Sequence, residues 1–530
     1  MRNAESLVLA ALAALLLAAC GGGSDTVPAN QSGVAGQLIH NPPDRVASVT
    51  AVDFAASLTA QGATGAALLT LAGPPVCGID FHYIQYYTVG GAGESTSASG
   101  ALMVPTGPAG VCSGNRPIVL YAHGTTFQRS YNIADPTNPN NPAAAELGLI
   151  AAMFAAHGYI VVAPNYAGYD SSPLPYHPWL NADQQSQDMI DALIAARSAL
   201  GKIPAASTLD GGKLFITGYS QGGHVAMATH RAMQVAALAG KAGMTVTAAA
   251  PMSGPYALEA FGDAILFGQV NIGSTLFFPL LTTSFQHAYK NVYNATTDIY
   301  STTYASGIDT LLPGSLSDTQ LFAQGKLPQS ALFDIMTPMT GNSTLDMELA
   351  VPSNPLFAAG FGNPYLLNNS LRVAYALDAV ASPDGALASS PPPAGAPLAA
   401  NPMYPMRQDL KLNDLRNDFG TGHPFVPGAP TLLCGGINDP TVFFLNAQIM
   451  QAFWQPIIQA LHLPPTLVTV LNVDNPTPNP LDPFAPLEAG FTTTYGALVT
   501  AEGAQKAIQQ YHTTVAPFCT AAARGFFSQF

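Results

Sequence analysis

The stretch Lys213-Leu214-Phe215-Ile216-Thr217-Gly218-Tyr219-Ser220-Gln221-Gly222 decides the fold of this chain. Its first half is an apolar run rich in β-branched and aromatic residues, which predicts a strand over 213–217. The residues from Gln221 to Leu238 keep a helical period, which predicts a helix. A Gly-x-Ser-x-Gly pentapeptide lies between the two. A serine on a sharp turn from strand to helix is held strained and exposed, so Ser220 is the candidate nucleophile.

Gly218 and Gly222 are required by a turn of this kind. A Cβ atom at either position would collide as the strand and the helix pack around the turn. The amino end of the helix also directs free N–H groups and the positive end of the helix dipole towards Ser220. Strand, turn and helix together predict a nucleophile elbow.

Strands and helices alternate on both sides of this elbow. Short apolar runs predict strands at 81–89, 101–104, 117–122, 159–164, 214–217, 244–249, 431–433 and 467–473. Segments of helical period predict helices at 143–157, 183–200, 221–238, 442–461 and 501–511. Such alternation predicts an α/β fold, with a mostly parallel sheet covered by helices on both faces.

One long interval breaks the alternation. Residues 254–427 are rich in Phe, Tyr, Asn and Pro and show no βα rhythm. Because structureless loops of that length are rare in compact domains, we expect a lid inserted between the sixth and seventh predicted strands. An independent binding domain is the alternative. The core is then divided into a first part, 37–253, and a second part, 428–530.

The composition argues against two classes of protein. The 530 residues carry 17 Lys and Arg against 31 Asp and Glu, a net charge of -14. An acidic surface repels phosphate backbones, so nucleic acid is not an expected partner. Hydrophobic residues make up 48% and the mean hydropathy is +0.23. After residue 20, however, Gly and Pro interrupt every apolar stretch before it reaches the roughly 18 residues of a membrane span.

The amino end has the features of an export signal. Arg2 precedes an apolar run at 7–17, and Leu17-Ala18-Ala19-Cys20 resembles the lipobox of bacterial lipoproteins. The resemblance implies a signal peptide at 1–19, a lipidated Cys20 and a tether over 20–36. A plain signal peptide and an uncleaved anchor are the alternatives. Gly21 as second mature residue implies the outer membrane in a Gram-negative cell, so we expect a periplasmic or surface protein whose lipid is its only membrane contact.

The remaining cysteines are even in number. Setting Cys20 aside leaves Cys77, Cys112, Cys434 and Cys519, which allow three pairings in an oxidising compartment. Proximity in sequence favours one disulfide between Cys77 and Cys112 and another between Cys434 and Cys519. Four free buried thiols are the alternative. Because neither a Cys-x-x-Cys pair nor a His-Cys cluster has the spacing of a zinc site, the sequence supports no metal.

An activated serine needs a base, and the base needs a carboxylate that orients it. After an elbow of this kind the acid and then the histidine follow in chain order. The aspartates available after the seventh predicted strand are Asp439, Asp474 and Asp482. Asp439 comes directly after that strand and would emerge at the carboxyl edge of the sheet, so it is the first choice. Asp474 also follows a strand and is the rival.

The candidate bases are His462 and His512. His462 ends a predicted helix and precedes Leu463-Pro464-Pro465, which is typical of a helix C-terminal cap. His512 comes just after the last predicted helix, near Cys519, while Asp439 follows Cys434 closely. A bridge between these cysteines would clamp the two loops together, so His512 is the predicted base. The alternative is an exposed C-terminal histidine.

Acyl transfer also needs donors aimed at the developing oxyanion. Gln221, the residue after the nucleophile, supplies one backbone N–H. The other is expected from His123-Gly124-Thr125-Thr126, after the predicted strand 117–122, because glycine lets that backbone approach the substrate. Thr125 is the first choice and Thr126 the alternative. His123 is expected to brace the loop and not to titrate.

Several motifs resemble those of a known family. The segments at 121–126 (Tyr-Ala-His-Gly-Thr-Thr), 163–169 (Ala-Pro-Asn-Tyr-Ala-Gly-Tyr), 176–181 (Tyr-His-Pro-Trp-Leu-Asn) and 219–224 (Tyr-Ser-Gln-Gly-Gly-His) are similar to the α/β-hydrolase superfamily. Within it the chain most resembles secreted lipase and esterase-type enzymes, including lipoproteins described as prolyl-oligopeptidase-like hydrolases. The resemblance covers 75–253 and 428–524. The large insertion distinguishes the chain from the small, lidless cutinases.

These features predict a serine hydrolase that cleaves carboxylic esters through an acyl-enzyme. Ser220 would attack the carbonyl, His512 would carry the proton, Asp439 would orient His512, and Gln221 with Thr125 would bind the oxyanion. No cofactor is implied, because the nucleophile and water suffice. We expect a monomer that acts on a small-molecule or lipid-like ester. The alternatives are a peptidase or amidase with the same triad, and a non-catalytic binding lipoprotein that keeps the fold.

Overall fold

The structure, a computed structural model, describes residues 33–203, 207–418 and 420–530. The predicted signal peptide 1–19, the lipidated Cys20 and most of the tether 20–36 lie outside the described residues. Within the described ranges, no helix combines the length and the apolar character needed to cross a bilayer.

A large mixed sheet lies at the centre of the chain. The strands, in chain order, are β1 (Asp44–Val49), β2 (Gly78–Val89), β3 (Ser95–Thr106), β4 (Gly114–Ala122), β5 (Ile160–Pro164), β6 (Thr208–Tyr219), β7 (Ala248–Met252), β8 (Phe333–Asp334), β9 (Phe361–Gly362), β10 (Thr431–Gly435) and β11 (Val468–Asn472). Nine of them form one sheet in the order β1-β2-β3-β5-β4-β6-β7-β10-β11. The pairs from β1 through β3 to β5 are antiparallel, and those from β5 through β4 to β11 are parallel.

Helices lie between the strands and within the segment 254–427, and those outside that segment cover both faces of this sheet. They are α1 (Ala51–Ala60), α2 (Ala63–Ala72), α3 (Ala144–Met153), α4 (Ala182–Leu200), α5 (Gln221–Leu238), α6 (Leu258–Leu266), α7 (Ser274–Tyr289), α8 (Asp318–Ala323), α9 (Ser343–Glu348), α10 (Pro355–Ala358), α11 (Asn369–Ala381), α12 (Pro405–Asn413), α13 (Leu445–Ala460), α14 (Ala485–Glu502), α15 (Ala504–Gln509) and α16 (Tyr511–Phe527). α4 packs on α5 on one face, and α2, α3 and α16 pack together on the other. The predicted α/β architecture is confirmed.

Several elements differ from the sequence prediction, and the helices α1 and α2 are not among the predicted ones. β1 is a short edge strand whose sequence, Asp-Arg-Val-Ala-Ser-Val, is too polar to be recognised as one. The strand predicted at 244–249 is displaced to β7, whose Ala and Pro residues have little strand propensity but are fully buried. The single helix predicted at 501–511 is replaced by α14, α15 and α16.

The segment 254–427 lies between β7 and β10 and contains α6 to α12 with the short parallel pair β8–β9. Because β1 precedes the predicted strands, the insertion follows the seventh strand of the sequence, not the sixth. Many of its apolar side chains form a cluster separate from the core around the sheet, while others, such as Tyr256 and Ala260, pack against helices of the core. The segment therefore has an apolar cluster of its own, which follows β7 in the chain.

Buried ion pairs also hold the insertion together. Arg407 lies 2.9 Å from Asp263 of α6 and 2.9 Å from Asp378 of α11. Arg416 lies 2.7 Å from both Asp384 and Asp414. Each guanidinium thus joins segments that are distant in sequence, and truncating one would leave buried carboxylates unpaired at a large energetic cost.

Candidate active site

Ser220 stands at the junction of β6 and α5 with φ 61° and ψ -123°. A positive φ costs a residue with a side chain about 1–3 kcal/mol, and such strain clusters at functional turns. A Cβ atom on Gly222 would lie 2.0 Å from the Ala122 carbonyl oxygen, and one on Gly218 would lie 2.3 Å from the Gly222 carbonyl oxygen. Glycine is therefore a steric requirement at both positions, and Ser220 is left partly exposed on the turn.

Asp439 and His512 form a hydrogen-bonded pair. Asp439 follows β10 and is buried, and its Oδ1 accepts from the backbone N–H of Thr441 at 2.9 Å and of Val442 at 3.2 Å. Its Oδ2 lies 2.6 Å from His512 Nδ1. These bonds direct the carboxylate at the imidazole, which holds a proton on Nδ1 and leaves Nε2 as the acceptor. In the described part of the chain, His512 Nε2 is buried and has no hydrogen-bond partner.

Tyr219 links this pair to the elbow. Its hydroxyl donates to the His512 carbonyl oxygen, and the two rings lie 4.8 Å apart. Because Tyr219 directly precedes Ser220, these contacts tie the imidazole to the residue before the candidate nucleophile. Across the described ranges no hydrogen bond joins the Ser220 hydroxyl to His512; bonds of this kind often tighten only when substrate is present.

The position of His512 differs from the prediction. It lies in the first turn of α16, not in a loop after the last helix. Cys434 at the end of β10 is bonded to Cys519 in α16, so the clamp joins a strand end to a helix. The other disulfide joins Cys77 to Cys112. Both pairs are those predicted from the sequence.

The rival candidates lie in other environments. Asp474 accepts hydrogen bonds from Tyr511 at 2.6 Å and from Asn438 at 2.7 Å, and His512 is not among its partners. His462 is exposed, has φ 54° and follows the end of α13, where its backbone N–H donates to the Gln459 carbonyl oxygen. The structure therefore brings Asp439, not Asp474, to His512 and leaves His462 as a helix cap.

The loop after β4 approaches the elbow from the other side. A Cβ atom on Gly124 would lie 3.8 Å from Ser220 Cβ. Glu146 of α3 holds this loop, because its Oε1 accepts from the Gly124 backbone at 3.0 Å and from the Tyr121 hydroxyl at 2.8 Å. Its Oε2 accepts from Tyr131 at 2.9 Å. The Gly124 N–H is thus occupied and cannot serve as an oxyanion donor.

Free backbone N–H groups remain on both sides of the elbow, in the loop just after Gly124 and directly after Ser220. Within the described residues, the backbone N–H groups of Thr125, Thr126 and Gln221 have no acceptor. The Gln221 side chain is fixed, since its amide donates to His177 Nε2 at 2.7 Å while His177 Nδ1 donates to the Ala167 carbonyl oxygen at 2.9 Å. Burial lowers the pKa of His177 to about 3, so the ring stays neutral and can accept this bond.

His123 is buried inside the loop. Its ring lies between Tyr131 at 4.3 Å and Tyr166 at 4.1 Å. Its Nδ1 lies 2.7 Å from the Gly124 carbonyl oxygen and its Nε2 lies 3.0 Å from the Asn165 carbonyl oxygen. Burial lowers the pKa of His123, which fits a bracing residue more than a proton carrier.

Sequence reasoning missed Glu146, His177 and Tyr219 as parts of the site. Glu146 lies in a predicted helix. No local pattern identifies its hydrogen-bond partners, which are distant in sequence. His177 and Tyr219 belong to motifs quoted above, and that proximity was the available signal. Among the described residues, no group of three or more His, Cys, Asp and Glu side chains is arranged to hold a metal ion.

Comparisons with known proteins agree with this architecture. The model of the alpha/beta hydrolase family matches residues 119–339. A ligand-bound crystal structure of the rice cell wall degrading esterase LipA from Xanthomonas oryzae is 25% identical, with a TM-score of 0.64 over 94% of this chain and 100% of that chain. Another crystal structure of that esterase is 26% identical, with a TM-score of 0.61 over 89% and 98% of the two chains.

A more distant structure shares the fold alone. A candidate hydrolase from Legionella pneumophila is 18% identical, with a TM-score of 0.59 over 93% of this chain and 98% of that chain. A comparison with curated proteins finds no match. The sheet order, the elbow, the family model and the esterase structures lead to one assignment: this chain has the α/β-hydrolase fold and is similar to proteins of the esterase and lipase type.

Proposed function

We propose that this protein hydrolyses carboxylic esters through an acyl-enzyme formed on Ser220. The observation that carries the proposal is the 2.6 Å bond between Asp439 and His512 Nδ1: within the described residues His512 Nε2 has no partner, and Tyr219 ties His512 to the strained elbow that carries Ser220. A base oriented by a carboxylate, next to a serine at a helix amino terminus, is the arrangement that serine acyl transfer needs.

The proposed reaction uses groups of this chain and water. The Ser220 hydroxyl gives its proton to His512 Nε2 as its oxygen attacks the ester carbonyl. The N–H groups of Gln221 and Thr125 receive the oxyanion, since both lack another acceptor among the described residues. His512 then protonates the leaving alcohol. Water, deprotonated by the same nitrogen, attacks the acyl-enzyme, and the acid and Ser220 are released.

Support for esters over amides comes from the likeness to the Xanthomonas esterase, which spans 94% of this chain. A peptidase or amidase would use the same triad. The substrates proposed are small esters, and the insertion 254–427 is proposed to cover the site and to set the preference for acyl chain length.

Two sets of contacts support the proposal that the insertion covers the loop after β4. Gly314 of the insertion donates its N–H to the Phe127 carbonyl oxygen at 2.9 Å. Trp179 donates to Thr125 Oγ1 at 3.1 Å, and its ring stacks at 5.7 Å on Phe277 of α7. The insertion is thereby in contact with the segment that carries the proposed oxyanion donor.

The insertion is also bonded to the loop that carries the acid. Asn271 donates from its side chain to the Thr441 carbonyl oxygen at 2.6 Å, and Ile272 donates its N–H to the Pro440 carbonyl oxygen at 2.9 Å. Because both loops of the site are joined to the same insertion, a change inside it should alter substrate preference without removing the chemistry. Phe277→Ala tests this on esters of increasing chain length, with Leu377→Ala on the exposed face of α11 as control.

The proposed activity is tested with p-nitrophenyl esters of short acids. Ser220→Ala should abolish turnover, by on the order of a million-fold, and leave the fold intact. His512→Ala should be nearly inactive and His462→Ala close to wild type. Hydrolysis of an aminoacyl anilide faster than of the ester would assign a peptidase, and hydrolysis of neither substrate by the wild type would favour a binding protein.

Export and lipid anchoring at Cys20 are proposed from the sequence, and the two disulfides are in keeping with an oxidising compartment. Mass analysis of the mature amino terminus should find a lipid-modified cysteine. An unmodified chain that still carries residues 1–19 would contradict the anchor.

A further inference from the structure

We propose that Asp474 is a positioning residue that fixes the proposed acid and base relative to each other; this inference rests on the function proposed above. Its carboxylate bonds to the residue before each of them. Oδ2 accepts from the Tyr511 hydroxyl at 2.6 Å and from the Asn438 side-chain amide at 2.7 Å. Tyr511 directly precedes His512, and Asn438 directly precedes Asp439.

The three residues close a triangle. The Asn438 backbone N–H donates to the Tyr511 hydroxyl oxygen at 3.3 Å, while that hydroxyl donates its own proton to Asp474. Burial, followed by the bond to Asp474, raises the pKa of Tyr511, which therefore remains a protonated donor. The acid loop and the start of α16 are thus joined through one carboxylate oxygen.

The end of β11 holds this triangle in place. Asn472 Oδ1 accepts from the backbone N–H of Ile437 at 2.9 Å and of Asp474 at 3.1 Å. Tyr511 is fully buried, and a Cβ atom on Gly436 would lie 2.5 Å from its hydroxyl oxygen. The tyrosine therefore fits against the acid loop only where that loop has no side chain.

The disulfide from Cys434 to Cys519 joins the same two segments, but five and seven residues away from the reacting groups. Asp474 acts one residue from each. Since a misplacement of about 1 Å can cost about 100-fold in rate, the bonds nearest to the reacting pair should govern kcat. Because these bonds act on the residues beside the acid and the base, KM should be little affected.

The test measures kcat and KM of Asp474→Asn, Tyr511→Phe and the double variant on a short p-nitrophenyl ester, well below the melting temperature. Each single variant should lower kcat by about 10-fold to 100-fold and change KM by less than about twofold. The double variant should lose little more than either single one, because both break the same link. Asp482→Asn is the matched control: within the described residues its Oδ1 accepts from the nearby Phe484 N–H alone, and the variant should behave as wild type.

Each other outcome overturns the inference. A loss in Asp474→Asn as large as in Asp439→Asn would make Asp474 the orienting acid itself. A kcat within twofold of wild type, additive losses, or a loss that disappears on cooling would leave Asp474 with a structural role or none. Ser220→Ala is assayed alongside: if it keeps activity, the proposed function fails whatever the Asp474 variants do.

Discussion

Replacing Asp439 by Asn is a sharp test of the proton path, because the change exchanges one oxygen for an NH2 group. The Asn Oδ1 can still accept from the N–H groups of Thr441 and Val442, which now bond to the carboxylate at 2.9 Å and 3.2 Å. The amide therefore stays in place. In the wild type, Asp439 Oδ2 lies 2.6 Å from His512 Nδ1. The NH2 group of the Asn takes the place of this oxygen and faces Nδ1.

The magnitude follows from the tautomer that this geometry imposes. An NH2 group donates to Nδ1, which moves the imidazole proton to Nε2. The nitrogen that should accept the Ser220 proton is then already protonated. Loss of the base in this way costs about 10,000-fold in kcat, or about 5.4 kcal/mol of activation free energy. The fold should survive, since both backbone bonds remain.

The assay compares kcat and KM of wild type, Asp439→Asn and Asp44→Asn, an exposed aspartate on the edge strand β1, with circular dichroism and thermal melting as checks on folding. Wild-type activity is expected in Asp44→Asn. If folded Asp439→Asn retains kcat within tenfold of wild type, Asp439 is not the orienting acid.

Three further predictions concern the covalent clamp, the buried charges and the elbow. Replacing Cys434 and Cys519 by Ser should lower the free energy of unfolding by about 4.5 kcal/mol, the loop-closure term for a sequence separation of 85, and should lower kcat as well; denaturant titration and assays measure both. Burial raises the pKa of Glu259 from 4.5 to about 8, so the folded state keeps a proton that the unfolded chain loses. The stability gained this way is complete below about pH 4.5 and is lost as pH rises through 8. The melting temperature of the wild type should therefore fall between pH 5 and 8.5, and it should fall less in Glu259→Gln. Gly222→Ala should give little folded, active protein, because the new Cβ would lie 2.0 Å from the Ala122 carbonyl oxygen; normal yield and activity would show that the elbow can relax.

The local parts of the fold could be predicted from the sequence. The elbow depends on residues within a few positions of Ser220, and β6 and α5 have clear apolar periods. Asp439 could be placed because it directly follows β10. The start of α16 could not be predicted, because Pro517 lies inside the helix and the preceding segment is rich in Pro and Gly.

The supports of the site could not be predicted, because they join residues far apart in the chain. Glu146 reaches the loop after β4, His177 reaches Gln221, and Asp474 reaches Tyr511 across the end of the sheet. Each of these contacts exists only once the sheet brings the strand ends together. No local pattern identifies such pairs in a single sequence.

The most direct test of Ser220 as the nucleophile is the mass of the enzyme after reaction with a p-nitrophenyl alkylphosphonate, an analogue of the tetrahedral intermediate. We expect loss of activity with one adduct per chain, located by peptide mapping on the peptide that contains Ser220 and absent from Ser220→Ala. Complete inactivation with Ser220 unmodified, or an adduct that persists in Ser220→Ala, would contradict the assignment of Ser220 as the nucleophile.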